Sequence, residues 1–217
     1  MSIAENLNEI RKTLPEGVQL VAVSKTKSAA EILEAYRAGQ RDFGENKVQE
    51  MAAKYEELPK DIRWHMIGHL QRNKVKYMAG FVYLVHGVDS LRLLEEINRK
   101  GAQENRVIDC LLQVHIAEEA TKFGFDPAEL EALLQGPELN SLTHVRIRGL
   151  MGMATFTEDP VQLHREFRAL KTLFDRLFSG NAQADILSMG MSGDYRIAVE
   201  EGSTMVRIGS SIFGSRA

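Results

Sequence analysis

Short apolar runs alternate with longer amphipathic stretches along the chain. The apolar runs have the length of buried β-strands, and there are eight of them: residues 19–24, 41–44, 63–68, 82–88, 107–115, 146–151, 186–189 and 205–208. Helical spacing of apolar residues fills the intervals, over residues 29–38, 48–58, 91–99, 128–134 and 161–178. The pattern predicts a regular alternation of strand and helix, with one additional helix over residues 3–14.

Several of the predicted helices carry clear start signals. Asp126 and Asp159 each stand at an N-cap position, followed by proline at the first helical position. Ser90 and Ser192 follow predicted strands at positions suited to capping the next helix.

Alternating strands and helices imply a parallel sheet with right-handed crossovers. Eight such units in 217 residues fit a compact (β/α)8 TIM barrel. A doubly wound open sheet is the alternative, but it usually has fewer strands, and no glycine-rich dinucleotide loop follows the first strand. No linker or low-complexity segment marks a boundary, so we expect one domain over residues 1–217.

The composition of the chain argues against several classes of function. A net charge of −3 gives no electrostatic reason to expect binding to nucleic acid or to an anionic membrane. No apolar run approaches the length of a membrane span, and the first residues lack a signal-peptide pattern. Cys110 is the single cysteine, which excludes an internal disulfide and suits the cytoplasm. The six histidines show no metal-ligand spacing, so we expect no metal site.

Functional residues of such barrels gather at the C-terminal ends of the strands. Taken in order, these ends supply Lys25, residues 44–46, 65–69, His86, residues 122–124, 151–152, 188–192 and 207–211.

Lys25 lies directly after the first strand, on the face that Val21 and Val23 share. An ammonium group on an apolar face needs a partner or loses its charge, and such lysines serve as Schiff-base nucleophiles. The alternative is a rim lysine that extends to solvent.

The ends of the last two strands are candidates for a phosphate site. Gly209 and Ser210 follow strand eight, and Ser188 ends strand seven, the region where many of these barrels bind phosphate. Glycine allows close approach of backbone N–H groups, and serine adds a hydroxyl donor. Ordinary turn and cap chemistry explains the same residues equally well.

Arg207 is predicted to point into the barrel, because Val206 and Ile208 on the other face would pack against helices. A buried guanidinium needs a specific acceptor. That acceptor is either a ligand or a buried carboxylate, and Glu45 is the nearest candidate for the carboxylate. One inward lysine, one inward arginine and a phosphate cradle suit an aldehyde cofactor with a phosphate, such as pyridoxal 5′-phosphate (PLP).

The chain resembles the pyridoxal phosphate homeostasis protein family (YggS/PROSC type) over nearly its whole length. The matching motifs are AVSKTK at 22–27, FGEN at 43–46, VQE at 48–50, WHMIGHLQ at 64–71, RGLM at 148–151, LSMGMS at 187–192, GSTMVRIG at 202–209 and IFG at 212–214.

The resemblance implies a barrel of the alanine racemase N-terminal type, with PLP bound to Lys25 as a Schiff base. It implies Arg207 at the pyridine nitrogen, Asn46 near the ring, and Ser188, Gly209 and Ser210 at the phosphate. Many relatives have threonine where this chain has Ser210, and either hydroxyl can donate. The implied role is to buffer PLP and deliver it to apo PLP enzymes, in vitamin B6 and amino-acid balance.

A PLP-dependent amino-acid racemase is the alternative function. An arginine at the pyridine nitrogen disfavours its protonation and weakens the ring as an electron sink. Racemisation also needs a second acid or base, which alanine racemases supply as a tyrosine from a C-terminal β domain of the partner subunit. We expect this chain, which ends at Ala217, to lack that domain and to be a monomer. Tyr195 is the one substitute tyrosine, and a surface position is expected for it.

Overall fold

Eight parallel strands close into a barrel in the computed structural model, which describes residues 2–118 and 123–214. Strand order follows the chain, and β1 pairs with β2 on one side and with β8 on the other. The strands are β1 (Gln19–Val23), β2 (Asp42–Glu45), β3 (Arg63–Met66), β4 (Leu84–Val88), β5 (Ile108–His115), β6 (Val145–Met153), β7 (Ile186–Ser188) and β8 (Met205–Ile208). The predicted (β/α)8 barrel is confirmed, with strand bounds that differ from the prediction by at most two residues.

Helices surround the barrel. They are α1 (Ile3–Thr13), α2 (Ala29–Arg37), α3 (Val48–Glu57), α4 (Leu91–Gln103), α5 (Pro127–Gln135), α6 (Pro160–Phe178), α7 (Tyr195–Glu200) and α8 (Ser210–Phe213). The β3–β4 connection differs from the prediction, because it contains the 3₁₀ helix Arg72–Tyr77 instead of an α-helix. A second 3₁₀ helix, Glu138–Ser141, follows α5.

The caps of α5 and α6 follow the sequence signals. Asp126 accepts from the N–H of Ala128, and Asp159 accepts from that of Val161. Ser90 is the N-cap of α4 but makes no side-chain hydrogen bond to that helix.

Ser192 does not cap a helix, because α7 begins three residues later, after Asp194. Its hydroxyl accepts instead from the Gly209 N–H at 3.2 Å. The prediction for Ser192 was therefore wrong, and this side chain joins the loops that follow β7 and β8.

Two apolar clusters and a polar group of side chains fill the interior. The larger cluster lies between the strands and the helices, where Phe43 and Trp64 are fully buried. The smaller cluster fills part of the barrel itself and consists of Val21, Leu84, Leu111, Met151 and Met205. Polar side chains on the same inward faces, among them Arg207 next to Met205 along β8, occupy another part of the barrel interior.

No helix within residues 2–118 and 123–214 combines the length and the apolar character that a membrane span requires.

Candidate cofactor-binding site

A cavity of about 810 Å³ opens at the C-terminal ends of the strands. Its lining comes from the loops after β1, β6, β7 and β8, and its size is that of a small-molecule site. Among the predicted site residues, Lys25, Gly209 and Ser210 lie in this lining. Asn46, Ser188 and Arg207 lie outside it. Lys122, from the predicted strand-end segment 122–124, is outside the described residues.

Lys25 is positioned through the residue that precedes it. The Ser24 hydroxyl donates to Oε1 of the fully buried Glu45 at 2.6 Å, and the Ser24 carbonyl accepts from Lys54 Nζ at 2.8 Å. Lys54, which α3 supplies, also contacts Glu45 Oε1 at 2.8 Å. Burial raises the pKa of Glu45, although Lys54 and Ser24 both donate to it. These contacts fix the backbone on the N-terminal side of Lys25.

Lys54 also holds Thr26, the residue after Lys25, through its contact with Glu50. The Thr26 N–H donates to Glu50 Oε1 at 2.6 Å, and Glu50 Oε1 lies 2.7 Å from Lys54 Nζ. Burial alone would raise the pKa of Glu50, but the hydrogen bonds from Lys54 and Thr26 lower it overall. Thr26 has a φ of +64°, a conformation that is uncommon for a non-glycine residue. We call Lys54, Glu45 and Glu50 the Lys54 clamp.

The Lys54 clamp was not predicted from the sequence. Glu50 and Lys54 are four residues apart on α3, which is the spacing of a helical ion pair, so part of the signal was present. The contacts of Lys54 with Ser24 and of Glu50 with Thr26 could not be predicted, because they join residues that lie 30 and 24 positions apart in the sequence.

Polar groups from the loops after β7 and β8 meet at one edge of the cavity. Gly209 and Ser192 both line the cavity and are hydrogen-bonded to each other. Ser210 begins α8 directly after Gly209, and the first N–H groups of a helix have no acceptor within it. Hydroxyls and a helix start at one edge can bind an anionic group.

Arg207 points into the barrel, as predicted from strand alternation, and is 4% exposed. Its Nη1 donates to the carbonyl of Ser188 at 2.9 Å and to the Ser188 hydroxyl, and its Nη2 donates to the Gly152 carbonyl at 3.1 Å. Burial lowers the pKa of Arg207 to about 10. The alternative partner that the sequence offered, Glu45, does not pair with Arg207, because that carboxylate binds Lys54.

A chain of side-chain hydrogen bonds continues from Arg207 across the barrel interior. The Ser188 hydroxyl lies 3.0 Å from His86 Nδ1, His86 Nε2 lies 2.9 Å from His65 Nδ1, and His65 Nε2 lies 3.0 Å from Asp42 Oδ1. We call these five residues the interior relay. His65 and His86, both among the strand-end candidates of the sequence, are fully buried within this relay.

Ser188 and Asn46 differ in how they relate to the cavity. The Ser188 hydroxyl is fully buried in the interior relay, which gives no support to a direct phosphate contact. Asn46 is half-buried, two residues beyond Gly44 on the inward face of β2, and β2 pairs with β1. Its backbone packs closely on Gly68, where an added Cβ would lie 2.5 Å from the Asn46 carbonyl oxygen.

Tyr195 is buried, so its expected surface position was wrong. Its hydroxyl lies 3.0 Å from Thr13 Oγ1 on α1, and it is not part of the cavity lining. This tyrosine therefore does not supply an acid or base to the cavity. Within residues 2–118 and 123–214 no group of three or more His, Cys, Asp and Glu side chains is arranged to hold a metal ion.

Comparison with known proteins gives concordant results. The sequence model described as "Alanine racemase, N-terminal domain" matches residues 1–217. The chain is 42% identical to the pyridoxal phosphate homeostasis protein of Aquifex aeolicus, over 91% of this chain and 87% of that protein. It is 38% identical to the Escherichia coli protein of the same name, over 99% and 97% of the two chains.

Solved structures show the same relationship. PipY of Synechococcus elongatus with PLP bound superposes with a TM-score of 0.89 at 42% identity, over 98% of this chain and 100% of that chain. Alanine racemase from Bartonella henselae shares the fold at 19% identity, with a TM-score of 0.73 over 99% of this chain and 60% of that chain. The chain belongs to the pyridoxal phosphate homeostasis protein family, and its barrel is of the alanine racemase N-terminal type.

Proposed function

We propose that this chain binds PLP in the cavity at the C-terminal mouth of the barrel and carries it as a Schiff base on Lys25. We further propose that it acts in intracellular PLP (vitamin B6) and amino-acid homeostasis, releasing PLP to apo PLP enzymes without turnover of its own. The observation that carries the proposal is the presence of Lys25, Gly209 and Ser210 in one cavity, in a chain 42% identical to a PLP-bound structure.

The residues in the cavity fit the chemistry of this cofactor. PLP supplies an aldehyde that reacts reversibly with amines, and a lysine amine is the usual protein partner. Gly209 and Ser210 are proposed for the phosphate, with the Ser210 hydroxyl as the donor, because the Gly209 N–H already donates to Ser192 at 3.2 Å. Asn46 and Arg207 are proposed for the ring. Ser188 is proposed to act through Arg207 rather than at the phosphate, because Arg207 and His86 already engage its hydroxyl.

The site supports a carrier better than a racemase. A second acid or base is needed on the face of the substrate opposite the lysine. Tyr195, the substitute that the sequence offered, is held by Thr13 away from the cavity. The cation of Arg207 also disfavours a proton on the ring nitrogen, which lowers the capacity of the ring to withdraw electrons.

The test compares Lys25→Ala with Lys27→Ala. Both lysines line the cavity, so the second variant is a matched control for a lost ammonium group. After incubation with PLP, the unaltered protein and Lys27→Ala are expected to be yellow, with the borohydride-reduced adduct mapped to Lys25 by mass spectrometry. Lys25→Ala is expected to keep its circular dichroism spectrum and to hold no covalent PLP. Covalent PLP in folded Lys25→Ala, or no uptake by the unaltered protein, would refute the proposal.

A further inference from the structure

The hydrogen atoms of the interior relay have one consistent arrangement when both imidazoles are neutral. Arg207 can only donate, so the Ser188 oxygen accepts from it and passes its own hydrogen to His86 Nδ1. His86 then carries its proton on Nε2 and donates to His65 Nδ1. His65 in turn donates from Nε2 to Asp42. Every donor along the relay therefore points from Arg207 toward Asp42.

The two ends of the relay, Asp42 and Arg207, are charged, and His86 between them is neutral. Burial would raise the pKa of Asp42, but hydrogen bonds from His65 and Arg63 lower it to about 2. Complete burial, with smaller contributions from His65 and Arg207, holds the pKa of His86 well below its ordinary value. Asp42 also accepts two hydrogen bonds from Arg63, so the relay links this ion pair to Arg207 through aligned hydrogen bonds.

Packing alone does not account for these side chains. Elsewhere in the barrel interior, the inward positions are filled by apolar residues such as Leu84 and Met205. Polar groups in such surroundings are costly unless every one is hydrogen-bonded. In the relay, both imidazoles and the Ser188 hydroxyl are hydrogen-bonded. The relay also fixes the Arg207 guanidinium against the Ser188 carbonyl of β7, and Gly209 at the cavity edge follows two residues later.

We propose that Asp42, His65 and His86 are positioning residues for the cofactor site. Acting through Ser188, they hold the Arg207 guanidinium in one orientation for the bound cofactor. This inference rests on the proposed function, because it requires that PLP binds next to Arg207. It makes residues at the far side of the barrel interior determinants of PLP affinity and of the protonation of the ring.

Two substitutions of His86 separate hydrogen bonding from volume. His86→Leu removes the acceptor for Ser188 and the donor to His65. His86→Gln can restore both, because an amide offers one acceptor and donors. His164→Leu is the control, since His164 bonds Glu201 on the outer helix layer. We expect His86→Leu to weaken PLP binding by about tenfold or more, the scale found for partners that orient a binding group, and His86→Gln to recover most of the loss.

A double-mutant cycle shows whether the effect passes through Arg207. In an Arg207→Gln background, His86→Leu is expected to cause no further change in PLP affinity or in the pH dependence of the PLP absorption band. Additive effects in the two backgrounds would mean that His86 acts only on the fold, and they would overturn the inference.

Nitrogen NMR of the protein without PLP tests the relay itself. His86 is expected as a neutral Nε2–H tautomer between pH 6 and pH 8, with Arg207 side-chain signals that move in His86→Leu and not in His164→Leu. A cationic or Nδ1–H imidazole at His86 would overturn the inference, even if the His86 variants fold poorly. Failure of the proposed function has a different signature, which is a normal NMR result in a protein that takes up no PLP.

Discussion

At the scale of single residues, the position of Lys25, the proposed Schiff-base residue, depends on Lys54, which does not line the cavity. Lys54 joins Glu45, Glu50 and the Ser24 carbonyl through one ammonium group. Its three donors are thereby matched by three acceptors. Because these contacts fix the backbone on both sides of Lys25, they set the direction in which that side chain leaves the strand.

Replacement of Lys54 by methionine is expected to lower the free energy of unfolding by about 3 kcal/mol at neutral pH, because it leaves a buried carboxylate without its cation. The side chain of Glu45 is 0% exposed, so water cannot replace the lost partner. Urea unfolding followed by circular dichroism measures the change. Lys12→Met is the control, since its ion pair with Glu9 is exposed and is expected to contribute less than about 1 kcal/mol.

The sign of the pH dependence follows from the raised pKa of Glu45. A carboxyl group with a raised pKa in the folded state favours folding while it is protonated and opposes folding as the pH rises through that value. Without Lys54 the pKa of Glu45 rises further, so the deficit of Lys54→Met is expected to be smaller at pH 5 than at pH 8. An equal deficit at both pH values would contradict the assignment of Glu45 as the buried charge.

At the scale of elements, the short segment between β7 and α7 determines the shape of one side of the cavity. Gly190 has a φ of +99°, and its carbonyl accepts from the Arg207 N–H at 2.9 Å. The sequence motif around Ser188 indicated this loop, but it predicted a helix start at Ser192. The start lies at Tyr195 because the chain first makes a turn in which Asp194 accepts from the Met191 N–H. Glycine spacing alone does not specify such a turn.

Gly190→Ala is expected to lower the free energy of unfolding by about 2 kcal/mol or more, because a Cβ there combines a left-handed backbone with a clash. That atom would lie 2.7 Å from Ala198 Cβ and 2.9 Å from Tyr195 Cα. Gly193→Ala in the same loop is the control, since a Cβ there meets nothing within 4 Å. Thermal unfolding of both variants measures the difference, and equal melting temperatures would exclude strain at Gly190.

At the scale of the whole molecule, local patterns predicted the barrel but not the contacts inside it. Eight apolar runs and their helices determine the closed parallel sheet, and strand alternation correctly turned Arg207 inward. Of the two partners that the sequence left open for Arg207, Glu45 is ruled out, because Lys54 of α3 binds this carboxylate. The relay was missed for a related reason: His86 and Ser188 are 102 residues apart, and only barrel closure brings them together.

Binding of PLP is expected to stabilise the whole barrel, since a ligand that binds only the folded state adds free energy by mass action. At a PLP concentration of about 100 times Kd the gain is about 2.7 kcal/mol, which corresponds to a rise in Tm of roughly 5–10 °C for a domain of this size.

Two controls separate the phosphate from the aldehyde. Pyridoxal is a ligand without the phosphate, and Lys25→Ala is a protein without the amine. Because the Gly209–Ser210 edge is proposed to bind the phosphate and Lys25 the aldehyde, pyridoxal should raise the Tm of the unaltered protein less than PLP does. PLP should still raise the Tm of Lys25→Ala, by a smaller amount. Equal shifts for PLP and pyridoxal in differential scanning calorimetry would show that this edge does not bind phosphate.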